Sequence, residues 1–243
     1  MERFFKLSQS NTTIGIELSA GLTTFMAMAY IAFVNPQMMA SAGMDQGAAF
    51  VATCIAAALA CFFMGLYANW PVGLAPGMGL NAFFTYTIVG DMSYPWQTAL
   101  GAVFIAGVLF VILTVTRLRE WMLVSIPWNL RIAMGAGIGL FVGMIGLRNG
   151  GLIVDHPATL LSLGNFQITE TLLAALGFLI ITGLATRRFP GAILLGILLV
   201  TVIGLGVGAV QYQGVVSAPP SIAPVLGQLD IAAAFDVAMI SAI

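Results

Sequence analysis

A chain of 243 residues that is 60% hydrophobic and 7% charged, with a net charge of -1 and a mean hydropathy of +1.04, cannot cover a water-facing surface. It is an integral membrane protein, and its 8 basic and 9 acidic residues argue against a nucleic acid partner. The absence of a metal-ligand cluster, a nucleophile motif or a phosphate-binding glycine loop argues against a membrane enzyme or an ATP-driven pump, and no cofactor is expected.

The charges fall almost entirely between apolar stretches of a length suited to a hydrocarbon core of about 30 Å. In chain order these predict membrane spans over 18–40, 47–69, a broken 71–90, 95–116, 130–147, 169–186 and 189–210. Arg3 and Lys6 precede the first stretch, which runs to about 23 residues without a small-residue cleavage site and so reads as a retained span rather than a leader. Glu17 sits at its mouth as a solvated or gate-forming carboxylate. Thr23, Thr24, Phe25, Asn35 and Pro36 interrupt the stretch, mostly as packing residues, while Phe25 offers a ring on which a planar solute could stack. In the second span Cys54 and Cys61 read as small core residues, not as a disulfide or a metal pair.

The third stretch is the informative one. Pro71, Gly73, Pro76, Gly77 and Gly79 cannot sit inside one continuous helix, because proline removes a backbone donor and clashes with the preceding turn while clustered glycines favour other backbone. Within a bilayer, irregular backbone survives only against protein or a water-filled cavity. A half-helix starting near Met78 would point its free N–H groups into such a cavity, and broken spans of this kind are where secondary transporters build their substrate sites.

Asn81 is the polar side chain closest after the break, flanked by Gly79, Leu80, Ala82, Phe83 and Phe84. Its amide is both donor and acceptor, as are the edges of purines and pyrimidines, and the helix N-terminus adds donors and a favourable dipole. A neutral, flat, hydrogen-bonding solute fits these residues. Asn81 as a cap of the half-helix, or bonded to a neighbouring span, is an equal alternative reading.

Further along, 117–131 carries Trp121 and Trp128 among arginines and reads as an interfacial connector or a positively charged loop. Gly135, Gly139 and Gly143 form small-residue steps for close helix packing. His156, beside Asp155 and Pro157, reads as an exposed loop histidine. A cytoplasmic N-terminus puts Arg3, Lys6, Arg117, Arg119, Arg131, Arg187 and Arg188 inside and Arg148 outside, as the positive-inside rule requires. No acidic residue or histidine lies deep in the spans, so a carboxylate for proton coupling is expected beyond Ile243.

After 211–230, with Pro219, Pro220 and Pro224, the chain turns apolar again over 231–243, about a dozen residues where about 20 are needed to cross. The expected organisation is an all-α polytopic membrane protein. Residues 1–230 form a first seven-span repeat and 231–243 the start of an incomplete eighth span. Seven is odd, so a second copy would run upside down, the inverted-repeat plan of many transporters.

The runs 17–36, ELSAGLTTFMAMAYIAFVNP, and 75–84, APGMGLNAFF, resemble the adenine/guanine/hypoxanthine permease branch of the xanthine/uracil permease superfamily. The likeness extends through GIGLFVGMIGL near 138–147 and VSAPPS over 216–221, so the chain resembles the N-terminal half of such a permease. This resemblance implies two inverted sevens of spans in a core and a gate domain, with purine held between the extended segments and half-helices of spans three and ten. It implies an extended segment at about 73–77, Asn81 as the span-three polar contact to the purine with Gly79 and Ala82 beside it, and proton-coupled import across a bacterial inner membrane. The implied partners are a purine nucleobase, a proton and the lipid bilayer, with a homodimer left open. The family's acidic residues on spans eight and ten have no counterpart here, so the chain alone is expected to be inactive. A passive channel or facilitator and a non-transporting membrane subunit remain the alternatives.

Overall fold

A computed structural model describes residues 5, 12–116, 118–157, 159–189, 191–212, 214 and 218–235. Arg3, Lys6, Arg117 and residues 236–243 of the anticipated eighth span lie outside the described residues. The described chain is mostly helical. Helices α1 (Ile14–Met28) and α2 (Ile31–Ser41) follow one another through Ala29 and Tyr30, then come α3 (Gln46–Leu66), α4 (Met78–Ala82), a π-helix (Phe83–Asp91), α5 (Trp96–Val115), α6 (Leu118–Ser125) and α7 (Trp128–Asn149). A hairpin of β1 (Ile153–His156) and β2 (Leu160–Leu163) precedes α8 (Thr169–Thr186) and α9 (Ala192–Gly206).

Five of these stretches are long and apolar enough to cross a membrane: Ile14–Ser41, Gln46–Leu66, Trp96–Val115, Trp128–Asn149 and Thr169–Thr186. The protein is therefore a multi-pass membrane protein. The seventh anticipated span, 189–210, is helical only over Ala192–Gly206, since Arg188 and Gly191 take positive φ before it and Gly208 after it. The first span begins earlier than its apolar composition suggested. Thr13 caps α1, its hydroxyl accepting from the Ile16 N–H, and Glu17 in the first turn faces the positive end of the helix dipole.

The chain divides into two compact units. One comprises Met1–Val34, Thr53–Pro76 and Ile145–Ala218. Within it α8 and α9 pack as an antiparallel pair, with Gly177 against Val200 and Gly196 against Ile181, so that missing side chains let the helices approach. Hydroxyls on the apolar helices bond back to their own backbone, as Thr182 to Phe178 O and Thr201 to Ile197 O, which satisfies them without water. The hairpin lies in this unit too, with Ile153 opposite Leu163 and His156 opposite Leu160. His156, expected as an exposed loop histidine, is exposed but ends a strand. Four-residue strands leave too short an alternation to see, and the turn is closed from the side: His156 Nδ1 accepts from the Thr159 N–H at 3.3 Å.

The other unit comprises Asn35–Ala52, Gly77–Met144 and Pro219–Ile243. Its core gathers Ala42, Phe84, Ile88, Ala99, Ala102 and Ala234. Asp45 caps α3 by accepting from the Ala48 N–H at 2.7 Å. At Gly101 on α5 the Asp230 backbone passes so closely that an added Cβ would overlap the Asp230 carbonyl, and Asp230 N–H donates to Gln97 O at 3.2 Å. Gly135, Gly139 and Gly143 on α7, expected as a packing stripe, have nothing within 4 Å of an added Cβ.

Candidate functional site

The break in the third stretch leaves 69–77 without helix. Asn69 adopts φ +48, a left-handed conformation that asparagine tolerates and that turns the chain out of α3. The extended segment then runs against α1 in the first unit. A Cβ on Gly73 would overlap Met28 Sδ and lie 2.9 Å from Thr24 Cγ2, so only glycine allows this approach. The segment is also tied to α3: the Leu74 N–H donates to Cys61 Sγ and the Cys61 thiol donates to Leu74 O, each at 3.2 Å.

Between α1, the second half of α3 and residues 70–75 lies a cavity of about 560 Å³. Phe25, Met28 and Trp70 make its walls largely apolar, Thr24 and both cysteines also line it, and Glu17 is its one carboxylate. The Thr24 hydroxyl donates to Ala20 O at 3.0 Å, so its hydrogen is already used within the helix.

In the second unit the chain becomes helical at Met78, with Gly77 as N-cap at φ -77, ψ 111. The first turn of a helix has N–H groups without intrahelical partners, whereas the Asn81 N–H already reaches Gly77 O at 3.1 Å. Any backbone donors for a solute thus come from the residues before Asn81, and the Phe83 N–H is likewise spent on Gly79 O and Leu80 O. After Ala82 the helix widens to π geometry, with the Met92 N–H bonded five residues back to Thr87 O at 2.9 Å.

Asn81 is half-buried, and its Nδ2 donates to Oδ1 of Asn35 at 2.5 Å. Asn35 is 6% exposed on α2, immediately before the fully buried Pro36. Four residues after Asn81, the Thr85 hydroxyl donates to Met38 O at 3.3 Å. A primary amide has two donor hydrogens and an acceptor oxygen, and the bond to Asn35 uses one hydrogen. The pairing realises the reading in which Asn81 bonds a neighbouring helix, and it fixes the plane in which the remaining amide functions can be presented.

The anticipated site residues do not all share one environment. Gly79 is half-buried, and an added Cβ there would lie 2.7 Å from Ile138 Cγ2; Ala82 is fully buried; Leu80 is exposed and Phe83 borders on exposure. Phe25 is exposed on α1 and belongs to the first unit, on the cavity wall. Asn35 was read from sequence only as an interruption of the first span. Its signal was an amide in an apolar helix, which must find a partner in lipid.

The xanthine/uracil permease model, described as Permease family, matches residues 15–242. The chain belongs to this permease family. It is 48% identical over 239 residues to the adenine permease AdeP of Escherichia coli K12, covering 98% of this chain and 54% of that protein. It is 47% identical over 234 residues to a second E. coli adenine permease, AdeQ, covering 96% and 53%. The guanine/hypoxanthine permease PbuG of Bacillus subtilis is 40% identical over 238 residues, with 94% of this chain and 54% of that protein covered. This permease chain thus spans about half the length of the curated relatives it matches, and those relatives are transporters rather than enzymes.

Proposed function

We propose that this permease chain is the first seven-span repeat, residues 1–230, of a transporter that imports purine nucleobases by proton symport. Residues 231–243 then begin the eighth span of an inverted second repeat. The observation that carries the reading is Asn81, an amide one turn into the helix that follows the break and oriented by Asn35. Asn81 hydrogen-bonds the base through its remaining donor and acceptor. The N–H groups near Gly79 and Leu80 add donors, Ala82 and Gly79 leave room beside the amide, and Phe83 stacks on the ring.

The names of the relatives, adenine permeases and guanine/hypoxanthine permeases, support adenine, hypoxanthine or guanine as the solute. The lack of an acidic residue or histidine deep in the apolar stretches of the sequence supports a coupling carboxylate outside these residues, and the positions of the arginines support a cytoplasmic N-terminus in a bacterial inner membrane.

Uptake of labelled adenine, hypoxanthine, guanine and uracil tests this, with and without a protonophore, in cells expressing either this chain or a permease of the relatives' full length. The expected result is protonophore-sensitive accumulation of purine by the full-length protein and none by the 243-residue chain. Purine entry that equilibrates without accumulating, unaffected by the protonophore, would establish a passive facilitator instead.

A further inference from the structure

The thiol of Cys61 makes an arrangement that composition did not suggest. The sulfur is half-buried on α3, and it meets both backbone polar groups of a single residue in the extended segment, accepting from the Leu74 N–H and donating to the Leu74 carbonyl. In a sheet a neighbouring strand would supply these two bonds. A thiol is a weak donor and a weak acceptor, but in apolar surroundings even a weak partner matters, because an unsatisfied backbone group there is costly. Gly73, next to Leu74, is pressed against Thr24 and Met28, so the segment is held by packing from α1 and by the thiol from α3.

Leu74 is followed by Ala75, Pro76 and Gly77. Proline fixes its own φ and restricts the residue before it, so few backbone rotations separate Leu74 from the N-cap of the helix that carries Asn81. A tie at Leu74 therefore holds the chain three residues before that N-cap.

We infer that Cys61 is a positioning residue for the purine-binding span, its thiol clasping both backbone groups of Leu74 and so holding the extended segment that leads to Met78. The functional consequence rests on the transport reading above, whereas the clasp itself does not. Cys61→Ala leaves both Leu74 groups without this partner, and Cys61→Ser restores a donor and an acceptor at the same place.

Two measurements test the inference. The first uses this chain in lipid bilayers, where Cys54→Ala leaves Cys61 as the sole cysteine and Cys61→Ala leaves Cys54. Infrared spectra should place the S–H stretch of Cys61 at lower frequency than that of Cys54, because donation to a carbonyl weakens the S–H bond. Equal frequencies would overturn the clasp. The second uses the full-length permease. Cys61→Ala should raise the KM for purine about five- to tenfold while the maximal rate falls less, and Cys61→Ser should recover at least half of the change. Wild-type kinetics in Cys61→Ala would overturn the positioning role. If the unsubstituted full-length protein takes up no purine, the transport reading fails, and the infrared comparison still decides the clasp.

Discussion

Asn81 Nδ2 donates to Asn35 Oδ1 at 2.5 Å, joining two amides 46 residues apart in sequence and tying the helix that follows the break to the proline-bearing helix α2. The bond uses one Nδ2 hydrogen of the Asn81 amide, so the purine contact proposed above would fall on its remaining hydrogen and its oxygen. Asn81→Ala in the full-length permease should raise the purine KM about tenfold or more, with membrane insertion unchanged, since losing a buried hydrogen-bonding partner costs about 1–3 kcal/mol. Unchanged uptake would leave Asn81 as a purely structural residue.

Asn35→Ala removes the anchor rather than the contact. It should weaken purine affinity less than Asn81→Ala, and a double-mutant cycle on KM should show the two substitutions to be coupled by about 0.5–2 kcal/mol. Additive effects would separate Asn35 from the site.

Gly73→Ala and Gly77→Ala sit four residues apart and should behave oppositely. A Cβ at Gly73 meets Thr24 Cγ2 at 2.9 Å, and Thr24 is pinned by its own bond to Ala20 O, so overpacking should cost about 1–3 kcal/mol and reduce both inserted protein and uptake. Gly77 has nothing within 4 Å and an ordinary negative φ, and its alanine variant should insert and transport close to normally. Comparing both variants by membrane yield and uptake checks the path of the extended segment.

On α5, Gly101→Ala drives a methyl group into the Asp230 carbonyl, a backbone atom that cannot rotate away, and should lower the thermal unfolding temperature of the purified protein. Gly107→Ala on the same helix meets nothing within 4 Å and should leave it unchanged or raise it slightly.

Arg148 and Asp155 form an ion pair at 2.6 Å, with side chains 59% and 68% exposed. Arg148→Ala should change stability by less than about 1 kcal/mol, because solvent screens such a pair, and uptake should be unaffected. A large loss in thermal unfolding would give the hairpin a structural weight that its exposure does not suggest.

The sequence by itself determined the membrane setting, the position of most helices and the break before Met78. Each of these follows from local chemistry: apolar length, and proline and glycine that cannot continue a helix. Asn81 was legible for the same reason, as an amide one turn after that break. The partner of Asn81, the thiol clasp on Leu74, the burial of Gly101 beneath Asp230 and the hairpin of β1 and β2 were decided only by the tertiary structure. Except for the short hairpin, these join residues more than a helical turn apart in sequence, where periodicity carries no information about which face meets which. Asn35 shows the difference: its composition demanded a hydrogen-bond partner within the lipid, and only the packing of α2 against the helix after the break named it.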